Sequence, residues 1–335
     1  MPKLGVEFTT GETPQSGGTS QGPGNMFLVA AAGYGPEEPT LVRSLNEAVT
    51  LYGPRETENS KLYDALNAFF VMGGARAYVN RIHGAGSPVA ALLELETTGT
   101  AKTLVVTAKY KGSFGNNYKI AILEGTAKTK IVIYNEAGEV LEQSLEYAKA
   151  SEMLAWGEEH KTYVVITAGS GYSAGKAELV KKLASTKLAS GVNPTNNEAT
   201  TNSTIEGFPK TLGPGQLVVS STESLKAGVH TAMGEHASKN NRFALCDIEA
   251  SEATITAATL ITNKGTPGVG IAGYMAFFST FVKVQGVTLG TERTMPFSPI
   301  AAGLFAKVSN TGTDNRAPAG PRWPLNSFVI SLVNS

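Results

Sequence analysis

"NMFLVAAAG", residues 25–33, is an apolar run of strand length that ends at a Gly-Tyr-Gly-Pro turn. Together with the helices and strand over residues 44–82, it decides the fold class. In "SLNEAVTLYG" (44–53), Leu45, Ala48, Val49 and Tyr52 recur at helical spacing, with Ser44 placed as N-cap and Gly53 just past the end. "SKLYDALNAFFVMGG" (60–74) repeats the pattern with Leu62, Leu66, Phe69 and Phe70, and "ARAYVNRI" (75–82) is a second strand. Strand, helix, helix, strand predicts a parallel pair joined by a right-handed crossover.

The same alternation returns later. "QLVVSS" and "RFALCD" read as strands. "TESLKAGVHTAMGEHASK" reads as a helix with Leu225, Val229 and Met233 on one face, and "EASEATITAATLITNK" as another helix. A mostly parallel sheet with helices on both faces is expected. "VGIAGYMAFFSTFV" (269–282) is too short to span a bilayer and reads as buried core.

Between these parts the character changes. "TLVVTAKY", "NYKIAIL", "KTKIVIYN", "EVLEQS" and "TYVVITA" are short strands, with a hairpin turn at 135–138 and a helix over 144–156. A β-rich domain over 86–189 is expected, inserted into a discontinuous α/β core of residues 25–85 and 190–335. "AGKAELVKKLAS" reads as a helix, and the polar 190–209 as a long loop. Residues 1–24 pair a short alternating stretch, "KLGVEFTT", with a Gly/Ser/Thr/Pro/Gln tract. Such a tethered strand either pairs with another chain's sheet edge or remains a loose terminus.

Composition narrows the function. The 335 residues are 41% hydrophobic and carry 28 basic and 28 acidic side chains, a formal net charge of zero. No basic stripe for nucleic acid is present, and neutrality leaves dense packing of copies unopposed by charge. The start has no signal-peptide h-region. The lone cysteine, Cys246, rules out an internal disulfide and reads as a buried small hydrophobe.

Candidate chemistry is sparse. "GSGYSAG" (169–175) follows a strand, but its spacing is G-x-G-x-x-x-G and no acidic residue lies where a ribose would need one. A nucleotide-binding α/β enzyme using Gly169 to Gly175 is nevertheless the alternative reading; a plain turn that needs positive φ competes with it. His83, His160, His230 and His236 have no metal spacing and read as solvated or helix-terminal. No catalytic, cofactor or metal residue is assigned. Near the end, "SPIAAGLFAKVSNTGTDNRAPAG" (298–320) predicts a helix over 298–309 with Pro299 in its first turn. Ala301, Ala302, Gly303 and Ala306 permit close backbone approach, and Ala317-Pro318-Ala319-Gly320 makes a rigid exit.

Three stretches together resemble the tail sheath proteins of contractile phage tails and related contractile injection particles. They are "AAGYGPEEPTLVRSLNEAVTLYGP" (31–54) with "LYDALNAFFVMGGARAYVNRI" (62–82), "KGSFGNNYKIAI" (111–122), and the 298–320 segment. The resemblance implies a non-enzymatic subunit that polymerises around an inner tail tube and contracts to drive the tube through the host envelope. It implies no cofactor. It places the chain in the virion tail, assembled in the host cytoplasm. The implied partners are other copies of the chain, the inner tube protein, and the baseplate and tail terminator proteins, with no nucleic acid and no membrane insertion.

The 1–24 segment matches an N-terminal arm with Leu4, Val6 and Phe8 as subunit contacts. The 86–189 unit matches an outward-facing domain, for which a host-binding role is a further alternative. Ala301, Gly303, Ala306 and Pro318 belong to a segment that either faces the tube or packs the core. Family members continue past Ala-Pro-Ala-Gly with a further module and arm. "NSFVISLVNS" therefore reads as a strand of an interrupted fold, and truncation after Ser335 is expected.

Overall fold

The computed structural model describes residues 24–82, 88–97, 101–173, 178–248, 257–286, 290–310, 325 and 328–333. In chain order the first elements are β1 (Asn25–Ala30), β2 (Thr40–Val42), α1 (Leu45–Tyr52), α2 (Ser60–Val71) and β3 (Arg76–Arg81). The Ser44 hydroxyl accepts from Glu47 N–H at 3.1 Å. Gly53, at φ +85°, closes α1 by donating to Val49 O. The Asn59 carboxamide donates to the carbonyls of Tyr52, Gly53 and Pro54, locking the link into α2.

The next group is β4 (Leu92–Glu96), β5 (Lys102–Ala108), β6 (Lys119–Glu124), β7 (Thr129–Tyr134), β8 (Val140–Gln143), α3 (Ala150–Glu159), β9 (Val164–Ala168) and β10 (Leu183–Lys187). Then come α4 (Glu198–Glu206), β11 (Gln216–Ser220), α5 (Ala227–Asn240), β12 (Phe243–Asp247), α6 (Ala257–Lys264) and β13 (Met275–Phe278). The last are β14 (Phe281–Gln285), β15 (Glu292–Pro296), α7 (Ser298–Asn310) and β16 (Val329–Val333).

The central sheet has the order β13-β12-β11-β1-β3-β2. Its first five strands are parallel, and β2 is an antiparallel edge. Both faces are covered. Met26, Leu28 and Ala30 face one cluster with Leu66 and Phe69 of α2 and Ala302 and Ala306 of α7. Phe27 and Val29 face the other, with Ile205 of α4 and Val229 and Met233 of α5. That two-sided burial is why β1 reads as an unbroken apolar run.

Strands β4 to β10 place nothing in the central sheet. They form two antiparallel sheets, β4-β5-β9 and β10-β6-β7-β8, around a separate cluster that includes Leu104, Ile120, Ile133, Met153 and Trp156. The turn between β7 and β8 closes with Asn135 Oδ1 accepting from Glu139 N–H. A last antiparallel sheet, β15-β14-β16, packs Val282, Val284 and Met295 against Met72 and Leu304.

Several sequence expectations are corrected. The helix over 174–185 is not formed by its described part. Lys181 N–H instead bonds Glu96 O, and Leu183 to Lys187 pair with β6. The extended form lets Lys181 and Lys182 reach Glu96 and Glu124, at 3.7 and 3.9 Å.

The supposed loop at 190–209 contains α4. Asn197 and Thr200 cap each other reciprocally, at 2.9 and 3.0 Å. Thr201 and Thr204 are buried, and the Thr204 hydroxyl donates back to Thr200 O. Satisfied hydroxyls behave there as core atoms.

The helix foreseen over 144–156 begins only at Ala150, because 144–147 still pair with β7. Helix α5 begins at Ala227, with Leu225 in the preceding turn. The 269–282 run is not one buried block. Val269 is 99% exposed, while Met275 ends up in the central sheet and Val282 in the last one. Among the described residues no helix is long and apolar enough to cross a membrane.

Candidate functional site

Open parallel sheets present their ligand crevice at the carboxyl ends of the strands, where the chain reverses its direction of travel across the sheet. Here the chain leaves β1 toward β3 and later returns to the other side at β11. The carboxyl ends of β1 and β3 are occupied by the chain itself. Arg81, at the end of β3, is fully buried. Its Nη1 donates to Ala32 O at 3.2 Å and Lys111 O at 3.0 Å, and its Nη2 to Glu37 Oε1 at 3.4 Å. Burial lowers its pKa, and Glu37 opposes that shift.

The "GSFGNN" segment (112–117) is the plug. Phe114 N–H donates to Gly33 O. Gly112 sits at φ +131°, and a Cβ there would stand 2.0 Å from Gly33 O, so only glycine fits. Asn193 Oδ1 accepts from Ser113 N–H, and Asn116 exchanges two hydrogen bonds with Gly191. Tyr34 packs against Tyr110, Phe114 and Tyr118 with centroids 5.0 to 5.8 Å apart. This arrangement joins the β4–β10 part to the central sheet and fills the crevice with aromatic rings.

The glycine loop is also committed elsewhere. Gly169 N–H donates to Thr103 O and Gly171 N–H to Lys102 O, at 2.8 and 2.9 Å. A Cβ on Gly169 would lie 2.4 Å from Lys102 O. Close approach to β5, not positive φ, explains that glycine. A nucleotide loop needs free N–H groups and a following helix. These amides are taken and 178–187 run extended; Gly175 lies outside the described residues.

The histidine reading needs correction. His230 and His236 are each 1% exposed. His230 Nε2 lies 2.8 Å from Ser224 O and 3.1 Å from Asp247 O. His236 Nε2 accepts from Arg242 Nη1 at 2.6 Å. Burial lowers both pKa values; with Arg242 and Lys239 adding to it, His236 falls to about 4. Arg242 also donates to the carbonyls of Phe208, Pro209 and Gly213 and lies 3.8 Å from the Phe27 ring centroid. His160 does sit at a helix end, stacked on Trp156. His83 lies outside the described residues.

Cys246 is buried with Sγ 3.9 Å from Met233 Sδ, and burial raises its thiol pKa, so it packs as a hydrophobe. Among the described residues no group of three His, Cys, Asp or Glu side chains could hold a metal ion.

Helix α7 packs beside α2 on the same face of the central sheet. Ala301 and Ala306 are buried, and a Cβ on Gly303 would stand 2.5 Å from Met72 Cβ and 2.7 Å from Phe69 O. Pro318 and its neighbours, and Leu4, Val6 and Phe8, lie outside the described residues. Sequence reasoning missed Arg81, Arg242 and Asp247. Asp247, at the end of β12, is buried and accepts from both the N–H and the hydroxyl of Ser298. Strand-terminal polar residues in "VNRI" and "LCDI" are the signal that Arg81 and Asp247 leave; Arg242, in "NNRF" just before β12, leaves none.

No protein-family model and no curated protein sequence matches the chain. Solved structures do. The crystal structure of the sheath tail protein from Desulfitobacterium hafniense matches with a TM-score of 0.60 at 13% identity, over 98% of this chain and 67% of that one. The sheath tail protein from Listeria innocua matches with a TM-score of 0.55 at 15% identity, over 88% of this chain and 57% of that one. This chain has the fold of those sheath tail proteins.

Proposed function

We propose that the chain is a structural subunit of a contractile tail sheath, acting by assembly and not by catalysis. The observation that carries this reading is the likeness to a sheath tail protein along 98% of the chain. The motif stretches at 31–54, 62–82, 111–122 and 298–320 support it independently. So does the filled crevice, in which Arg81 and the 112–117 segment serve as mechanical joints.

In this reading the β4–β10 part is an inserted, outward-facing domain over 86–189, and the core comprises 25–85 and 190–335. Residues 1–24 form an arm whose Leu4, Val6 and Phe8 add a strand to a neighbouring copy. Ala301, Gly303, Ala306 and Pro318 belong to the tube-side half of the core. The partners are other copies of the chain, the inner tail tube, and the baseplate and terminator proteins. The assembled location is the virion tail, and contraction drives the tube through the host envelope.

Immunogold labelling of native particles tests this. Antibody against the chain should decorate tails along their whole length and follow the sheath when it shortens. Label confined to heads, fibres or soluble protein contradicts the reading.

A further inference from the structure

At the carboxyl end of β11 a cavity of about 230 Å³ opens between α2, the 220–225 turn, and strands β14 and β15. Lys61, Asp64 and Ser221 contribute polar atoms, and Phe281, Met295 and Pro296 contribute apolar wall. It is separate from the filled crevice beside Arg81, and it does not depend on the sheath reading.

The charges around it do not balance. Asp64 is held by both arms of Arg55, at 2.9 and 3.0 Å, and Arg293 Nη1 stands 2.7 Å from the same carboxylate. That Arg293 contact is close but poorly aimed, and its three guanidinium nitrogens are buried without a well-formed hydrogen bond. Glu223 pairs with Lys226. The Lys61 side chain makes no hydrogen bond or ion pair among the described residues. Of the charged groups only Lys61 and Asp64 line the cavity itself, and Arg55 and Arg293, both on Asp64, leave that cluster with one net positive charge beside the unpaired Lys61.

The hydroxyl of Ser221 accepts from Glu223 N–H, and its own proton has no acceptor among the described residues. The Lys61 side chain is solvent-accessible at one end of the cavity, yet the surrounding protein lowers its pKa, an effect Glu223 opposes. Donors here, on Lys61, Ser221 and Arg293, outnumber the one buried acceptor without a hydrogen bond, Glu223 Oε2.

We propose that this cavity binds a carboxylate carried on a short apolar stem. Lys61 and Ser221 supply the donors, the excess positive charge of the Arg55–Asp64–Arg293 group lies behind them, and Phe281, Met295 and Pro296 cover the stem. A free small carboxylate and an acidic side chain from a second copy of this chain share that chemistry.

Titration calorimetry of the whole chain with sodium hexanoate, against hexylammonium chloride at matched ionic strength, tests the site. Hexanoate should bind one to one and hexylammonium should not. Lys61→Met, an exposed substitution that keeps the fold, should weaken hexanoate binding at least tenfold; Ser221→Ala should weaken it severalfold. Sedimentation then separates the two sources. If hexanoate and Lys61→Met both reduce self-association, the carboxylate comes from a second copy. If hexanoate binds and self-association is unchanged, the ligand is a free molecule. Absence of hexanoate binding to the wild type, or equal binding to Lys61→Met, overturns the proposal whatever the self-association does.

Discussion

The Asp247 carboxylate accepts from the Ser298 backbone N–H at 3.0 Å and from its hydroxyl at 2.5 Å. One buried side chain at the end of β12 thereby caps α7 and holds it on the central sheet. Asp247→Ala removes a cap and leaves buried donors unpaired, so it should cost about 2–4 kcal/mol in denaturant unfolding. Asp247→Asn keeps one acceptor oxygen and should cost less than half of that at pH 5.

The same contact sets a pH dependence. Burial pushes the Asp247 carboxyl up to about 7, against the pull of the bonds from Ser298 and Phe297. The folded state thus binds this proton more tightly than the unfolded chain, whose value is near 3.8. The stability this supplies is complete below pH 4 and is lost as pH rises through 7. His236 works in the opposite sense. Its folded value of about 4 lies below the ordinary 6.5, so its contribution is present above pH 6.5 and is lost as pH falls through 4. Between pH 4 and 6.5 the Asp247 effect opposes that of His236, to which the buried His230 adds in the same sense. Asp247→Asn should unmask the histidine effect, so that its stability relative to wild type falls as pH is lowered from 7 to 4. Chemical denaturation at several pH values reads this directly.

Gly303 tests the packing of α7. A methyl group there meets Met72 Cβ and Phe69 O inside contact distance, so Gly303→Ala should destabilise by about 2–3 kcal/mol. Gly138 is the control. It sits at φ +91° with nothing within 4 Å of where a Cβ would stand, so Gly138→Ala should cost only about 1 kcal/mol, from backbone strain alone. Equal costs would mean that α7 does not pack as described.

Arg81 tests the joint between the β4–β10 part and the central sheet. Arg81→Met leaves the carbonyls of Ala32 and Lys111 without their donor, so a loss of about 2–4 kcal/mol is expected. Hydrogen exchange should accelerate over 111–118 before it does in β11 or β12.

How much of this was written in the sequence depends on how local the cause is. Helix α1 is legible because Ser44, Glu47 and Gly53 act within their own turns. The central strands are legible because burial on both faces demands apolar runs. Helix α4 is not, because its buried face is threonine and its cap is an Asn–Thr pair that composition scores as loop. Strand β10 is not, because its partner β6 lies some sixty residues earlier and overrides a helical pattern of lysines and leucine. The site followed the same rule. The small residues of α7 announce close packing, whereas Arg81, Arg242 and Asp247 are buried by carbonyls and amides distant in sequence.

Electron microscopy of the concentrated protein, alone and with preformed inner tail tubes as a template, tests whether the chain assembles as a sheath. A sheath subunit should form hollow, striated tubes of stacked rings on the template, and lose them when residues 1–24 are deleted. Protein that stays monomeric in the presence of inner tubes, or that coats them without a regular axial repeat, would contradict sheath assembly.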